Sequence, residues 1–155
     1  MKLMMKERKF TIRDSFKIQD ENGKDKYQVT GDILSTSKTL HIKNMEGNEV
    51  AYIKEKLISF KPKFYFYVEG EQVGEIVKDR ALIGSKYHIS GVDWKIKGDT
   101  SDHKYSIMSN KETIVSVKKK RLSLVSTYVF DIEDETNEIP ALAAVLAIDY
   151  VTNNA

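Results

Sequence analysis

The sequence predicts a mainly β protein with one helix: a closed antiparallel barrel of about twelve strands, in two repeated halves, around a buried C-terminal apolar helix. Three observations carry that expectation. Most of the chain alternates large apolar with polar residues, its last segment is apolar on every side, and its two halves match each other at fixed offsets. The lengths and composition suit one domain over residues 1–155, with the barrel at about 8–135 and the central helix at about 139–151.

The strands come first. Phe10-Thr-Ile12, Phe16-Lys-Ile18, Tyr27-Gln-Val29, Leu40-His-Ile42, Phe64-Tyr-Phe66-Tyr-Val68, Trp94-Lys-Ile96, Tyr105-Ser-Ile107 and Tyr128-Val-Phe130-Asp-Ile132 read at period two, the pattern of strands with one face wet. Between them lie hairpin signals at Asn22-Gly23, Gly47-Asn48, Gly70-Glu71 and Asn110-Lys111. About a dozen short strands are more than an open twisted sheet carries without curling or closing.

The C-terminal segment has Pro140 near a first-turn position, Asn137 or Glu138 as its cap, and good helix formers thereafter. A helix apolar all round has to be surrounded by protein, and the inner face of the strands is the only surround this chain offers. Its apolar run, residues 139–148, is shorter than the ~20 residues a membrane-spanning helix needs, and Asp149 closes it. A protein that does not span the membrane is expected.

The internal repeat has the length of a half-barrel. Tyr27-Gln-Val-Thr-Gly-Asp32 matches Trp94-Lys-Ile-Lys-Gly-Asp99 at an offset of 67, and residues 50–71 match residues 114–135 at an offset of 64. Where the first half continues with a strand over residues 73–77, the second half supplies the helix.

Composition excludes several classes. Hydrophobic residues at 41% with charged residues at 31% describe a soluble globule. The absence of cysteine removes disulfides and thiolate metal sites, and residues 1–10 lack the apolar core of a signal peptide, so a cytoplasmic location is expected. A balance of 25 Lys and Arg against 23 Asp and Glu gives little pull toward nucleic acid.

The second half, Trp94-x-Ile96-x-Gly98-Asp99, Tyr105-x-Ile107, Val117-Lys118-Lys119 and Thr127-Tyr128-Val129-x-Asp131-Ile132, ending in Ala-Leu-Ala-Ala-Val-Leu-Ala-Ile-Asp149, resembles the LURP-one-related family. The first half is similar through Ile53-Lys-Glu-Lys-Leu57 and Lys61-Pro-Lys63. The resemblance covers the chain from about Phe10 to Val151. It implies a twelve-stranded barrel around a C-terminal helix, shared with tubby domains and phospholipid scramblases. Tubby domains bind phosphoinositide headgroups and scramblases are linked to calcium and lipid, but one fold hosts many activities and function has to come from the site. The stretch Leu122-Ser-Leu-Val-Ser126 departs from the family, which usually places a tryptophan and an acidic residue before Thr-Tyr.

Five basic residues are the candidates for an anionic ligand. Lys118, Lys120 and Arg121 lie in the run 118–121, and Lys54 and Lys56 are the repeat partners of Lys118 and Lys120. Lysines pointing outward from a strand can attract phosphate or lipid headgroups, and equally serve to keep a sheet edge soluble. Asp131, Glu133 and Glu135 are weak candidates for calcium, since alternate carboxylates can share a hard cation, but Thr136 stands where a calcium loop of the EF-hand type requires glycine. They also suit a solvated linker before a helix N-terminus.

Asp149 is expected to be a buried structural polar group that accepts strand N–H bonds or faces a lysine. Asp32 and Asp99 are expected to make turn hydrogen bonds. His41, His88 and His103 have no ligand-like neighbour at metal spacing, no Gly-x-Ser-x-Gly elbow or phosphate-cradling glycine loop occurs, and Trp94 with the tyrosines and phenylalanines falls on the core face. No cofactor or metal is expected.

These residues favour a noncatalytic binding or scaffold module, its ligand an anionic lipid headgroup or membrane surface, or a protein partner. An enzyme working at a barrel end, with Asp149 as its carboxylate, is the alternative. Nucleic-acid binding through the basic run is the third reading.

Overall fold

The computed structural model describes residues 1–6, 15–34, 37–56, 63–79, 86–121 and 126–153. Twelve strands form one antiparallel sheet: β1 (Lys2–Lys6), β2 (Phe16–Asp20), β3 (Asp25–Leu34), β4 (Ser37–Asn44), β5 (Glu49–Lys56), β6 (Lys63–Val68), β7 (Glu71–Asp79), β8 (Lys86–Ser90), β9 (Lys95–Asp99), β10 (Lys104–Ser109), β11 (Glu112–Arg121) and β12 (Ser126–Ile132). Helix α1 (Glu138–Asn153) follows. The order across the sheet is β8-β7-β6-β5-β4-β3-β2-β1-β12-β11-β10-β9.

Why the sheet curls is visible in α1. All residues from Ala141 to Val151 are at most 5% exposed, so the helix has no wet face and the sheet has to wrap it. Leu142, Leu146 and Ile148 join inward residues such as Leu3, Ile18, Ile42, Ile53, Phe66, Ile107 and Phe130 in one core. The alanines at 141, 143, 144 and 147 keep the helix thin enough to fit the lumen.

Closure is nearly complete. β8 and β9 are the two ends of the sheet, joined through Gly91 and Trp94 but not paired with each other. β9 offers little apolar surface to zip against β8, because Ile96 is half-buried and the rest of the strand is exposed. Lys95 and Lys97 keep this edge charged, which discourages pairing with another chain. Gly98, at φ +112°, lets β9 lie directly on β10: a Cβ there would sit 2.7 Å from the Lys104 carbonyl oxygen.

One difference from expectation concerns a boundary. The barrel begins at β1, before the expected residue 8: Leu3 and Met5 point inward, and the adjacent methionines Met4 and Met5 hide that alternation in the sequence. The strand expected at Phe10-Thr-Ile12, and the Lys61-Pro62 and Leu122 to Val125 stretches, lie outside the described residues. Asp134 caps a 3-10 turn (Glu135–Asn137) that leads into α1, accepting from the Thr136 amide at 2.9 Å.

Hairpins β5–β6 and β11–β12 pair in the same register at the offset of 64, with Ile53 opposite Phe66 as Val117 is opposite Phe130. β7 lies beside β6; the place beside β12 is taken by β1, paired over all five residues. The helix thus goes inside instead of filling a strand position. Met1 is tied in too, its carbonyl accepting from the Ile132 amide at 2.8 Å.

Leu146, fully buried on α1, tests the enclosure. Leu146→Ala is expected to cost about 2–5 kcal/mol in urea unfolding, and a loss below about 0.5 kcal/mol, typical of a surface site, would contradict it.

Candidate functional site

The lysines are positioned by the end of the β11–β12 ladder. Val117 points into the core, Lys118 lies opposite Val129, Lys119 opposite Tyr128 and Lys120 opposite Thr127. Lys118 and Lys120 therefore point outward, and Val129, opposite Lys118, is buried although it stands outside the core cluster. Lys119 points toward the barrel end, its Nζ 5.9 Å from the Tyr128 ring centroid. Arg121 pairs through its backbone with Ser126.

These lysines share a groove of about 480 Å³ with Lys104, Asp102 and Ser126. Four ammonium groups face one carboxylate there. The sequence reading finds Lys118 and Lys120 but not Lys104, Asp102 or Ser126, because only the pairing of β10, β11 and β12 brings them together.

Lys54 and Lys56 are not part of this groove. They are exposed on β5, with five strands between them and β11 in either direction around the barrel. Lys56 lies opposite Lys63, with its Nζ 5.3 Å from the Tyr65 ring centroid. The five candidate basic residues thus fall on opposite sides.

Behind the groove, the β9–β10 turn reaches the helix. Asp99 holds that turn, accepting from the Ser101 amide at 2.9 Å, the Ser101 hydroxyl at 2.6 Å and the Asp102 amide at 3.2 Å. The Ser101 hydroxyl is the main reason its carboxyl stays below the usual range. His103, at φ +53°, turns inward, placing Nδ1 3.5 Å from Asp149 Oδ1 and its ring 4.7 Å from that of Tyr128. Asp149 is 5% exposed. The Tyr105 hydroxyl is pushed well up by burial and then by the nearby Asp149 charge.

Asp149 is buried, and one of its partners is a histidine 46 positions away in sequence. No short-range spacing announces such a pair. At the other helix end Lys26 Nζ lies 2.6 Å from Glu138 Oε1, to which the Tyr27 hydroxyl donates at 2.9 Å. Both ends of α1 are thus fixed by charge.

Two further expectations are corrected. Asp32 lies within β3 and makes no turn; its Oδ2 is 3.0 Å from Nε2 of His41, whose Nδ1 meets Glu49. Tyr52 and Tyr67 lie on the outer face, stacked at 4.4 Å with an interplanar angle of 11°, so not all aromatic residues belong to the core. Asp131 sits on β12 between Lys2 and Ser116, while Glu133 and Glu135 are exposed. Among the described residues no three His, Cys, Asp or Glu side chains are grouped to hold a metal ion.

A nearly closed antiparallel barrel on its own C-terminal helix, with charged groups gathered at its rim, defines a class of helix-centred barrels. The chain belongs to the LURP-one-related family, which it matches over residues 1–149. It is 28% identical over 154 residues to the uncharacterized protein YxjI of Bacillus subtilis (strain 168), an alignment covering 99% of this chain and 95% of that one. Its fold is also that of an Arabidopsis thaliana protein of known X-ray structure, at a TM-score of 0.58 and 15% identity, covering 97% of this chain and 91% of the other.

The His103–Asp149 pair gives a double-mutant test. Each of His103→Ala and Asp149→Ala is expected to destabilise the fold by about 1–3 kcal/mol, and the double variant by less than the two together. Strict additivity would show that the groups do not interact.

Acid titration gives another. Asp25, Asp99 and Asp134 have lowered carboxyl values, through Gln19, Ser101 and Thr136 respectively as the largest causes. Their contribution is complete above the ordinary carboxylate range and is lost as pH falls through the lowered values. Asp99→Asn is expected to lose less melting temperature on acidification than the parent; an identical acid profile would remove Asp99 from the account.

Proposed function

We propose that this protein is a noncatalytic binding module whose lysine groove takes an anionic, phosphate-class group at a membrane surface. One observation carries the reading: Lys104, Lys118, Lys119 and Lys120 line a single groove of about 480 Å³ in which Asp102 is the one carboxylate among the described lining residues. Exposed lysines contribute by summed long-range attraction, at ~1 kcal/mol each near an anionic bilayer, which added salt screens. Phosphate suits such a site because ammonium groups hold it as point charges without a fixed fork geometry.

The lumen supports a surface site over an internal one. α1 fills the barrel with buried side chains, so small ligands meet the protein at its wall and rim. Among the described residues no helix is long and apolar enough to cross a membrane, which suits peripheral attachment.

Vesicle co-sedimentation tests the reading. The protein is expected to bind vesicles rich in phosphatidylserine or phosphoinositide at low salt, to bind neutral vesicles poorly, and to lose binding as Lys118→Glu/Lys120→Glu. Equal binding by the parent and this variant would sink it.

A further inference from the structure

Among the described residues, the barrel wall has a gap two strands from the β11 lysines. β1 pairs with β12 over its whole length but with β2 only at Leu3 opposite Asp20 and Met4 opposite Gln19. Beyond Met4 the two strands part, and a slot of about 370 Å³ opens between them. Met4, Met5 and Phe16 line it together with Lys6, Lys17, Gln19, Asp25 and Thr127. Met5 and Phe16 are core residues, so the slot reaches from the surface to the edge of the core.

Its charges are unevenly disposed. Lys17 is engaged by Asp25 at 3.1 Å, and Asp25 also accepts from Gln19 at 3.0 Å, which neutralises the β2 side. On the other side Lys6 is exposed and lies opposite Thr127, which in turn lies opposite Lys120. Lys6 and Lys120 thus share one row across β12, about 10 Å apart at two strand spacings. Ser126 lines the groove and the next residue, Thr127, lines the slot.

We infer that groove and slot form one site for an amphiphilic anion: a phosphate-class head among the lysines, with a single alkyl or acyl chain laid across β12 and β1 into the slot between β1 and β2. The inference rests on the anion-binding reading above and adds the chain. An alkyl chain needs no hydrogen bonds from this lining, and unbranched methionines adapt to it. The slot is of the size that takes a small apolar group, and its cationic rim lies on the side of the groove.

The test compares monomeric butyl phosphate with monomeric dodecyl phosphate, by NMR-detected titration of the full chain. Dodecyl phosphate is expected to bind about tenfold tighter or more, since each buried methylene contributes roughly fourfold at most. Met4→Asn, a neutral change on the half-buried outer face, should bring the ratio of dodecyl to butyl phosphate affinity down toward one; Met4→Ser is the milder variant should the asparagine perturb folding. Lys118→Glu/Lys120→Glu should weaken both ligands. Equal affinity for the two phosphates, or a chain-length advantage that survives in both Met4 variants, would overturn the slot while leaving the groove intact. Dodecyl phosphate binding indifferent to the lysine changes would overturn the shared site and the groove reading with it.

Discussion

A helix with no polar face is the constraint on which this architecture depends. Ten consecutive residues, Ala141 to Tyr150, are buried, and a single strand or hairpin packed on one side would leave most of them wet. At ~25 cal/mol per Å² of apolar surface, a half-covered helix of this composition is a large unpaid cost to folding. Wrapping twelve strands around it also covers the inner faces of those strands. The sheet consequently needs no second layer, and its outer face is free to carry charge.

From that enclosure follow the positions of the polar groups. The helix has two ends, and each is fixed by a charged group that would otherwise be costly to bury: Glu138 by Lys26 and Tyr27, and Asp149 by the turn carrying His103. Turn and groove are one piece of chain. Asp102 and Lys104 line the groove from either side of His103, so the surface site is braced against the helix through a single residue.

Much of the fold was legible because alternation is a local property. Tyr128, Phe130 and Ile132 announce β12 without reference to any neighbour, and the apolar run from residue 139 announces a helix in need of a surround. β1 was not legible, since two methionines in a row blur the alternation, and β8 has little more than Tyr87 and Ile89 to declare it. The site was legible only where it was contiguous. Lys118 and Lys120 stand in one run, but Lys104 joins them across a ladder and His103 meets Asp149 through the wall of the barrel. Asp32 shows the opposite failure: a short motif, Gly followed by Asp, reads as a turn in both halves and is one only at Asp99.

The pairing of β1 with β12 sets the order of events during synthesis. Residues 2–6 are made long before their main partner, residues 126–132, and the helix that fills the centre comes later still. Until then the inner faces of the intervening strands have nothing to enclose, and the nascent chain presents a long apolar surface. Closure of so distant a contact is slow. Collapse around α1 therefore waits until residues 138–153 have been made.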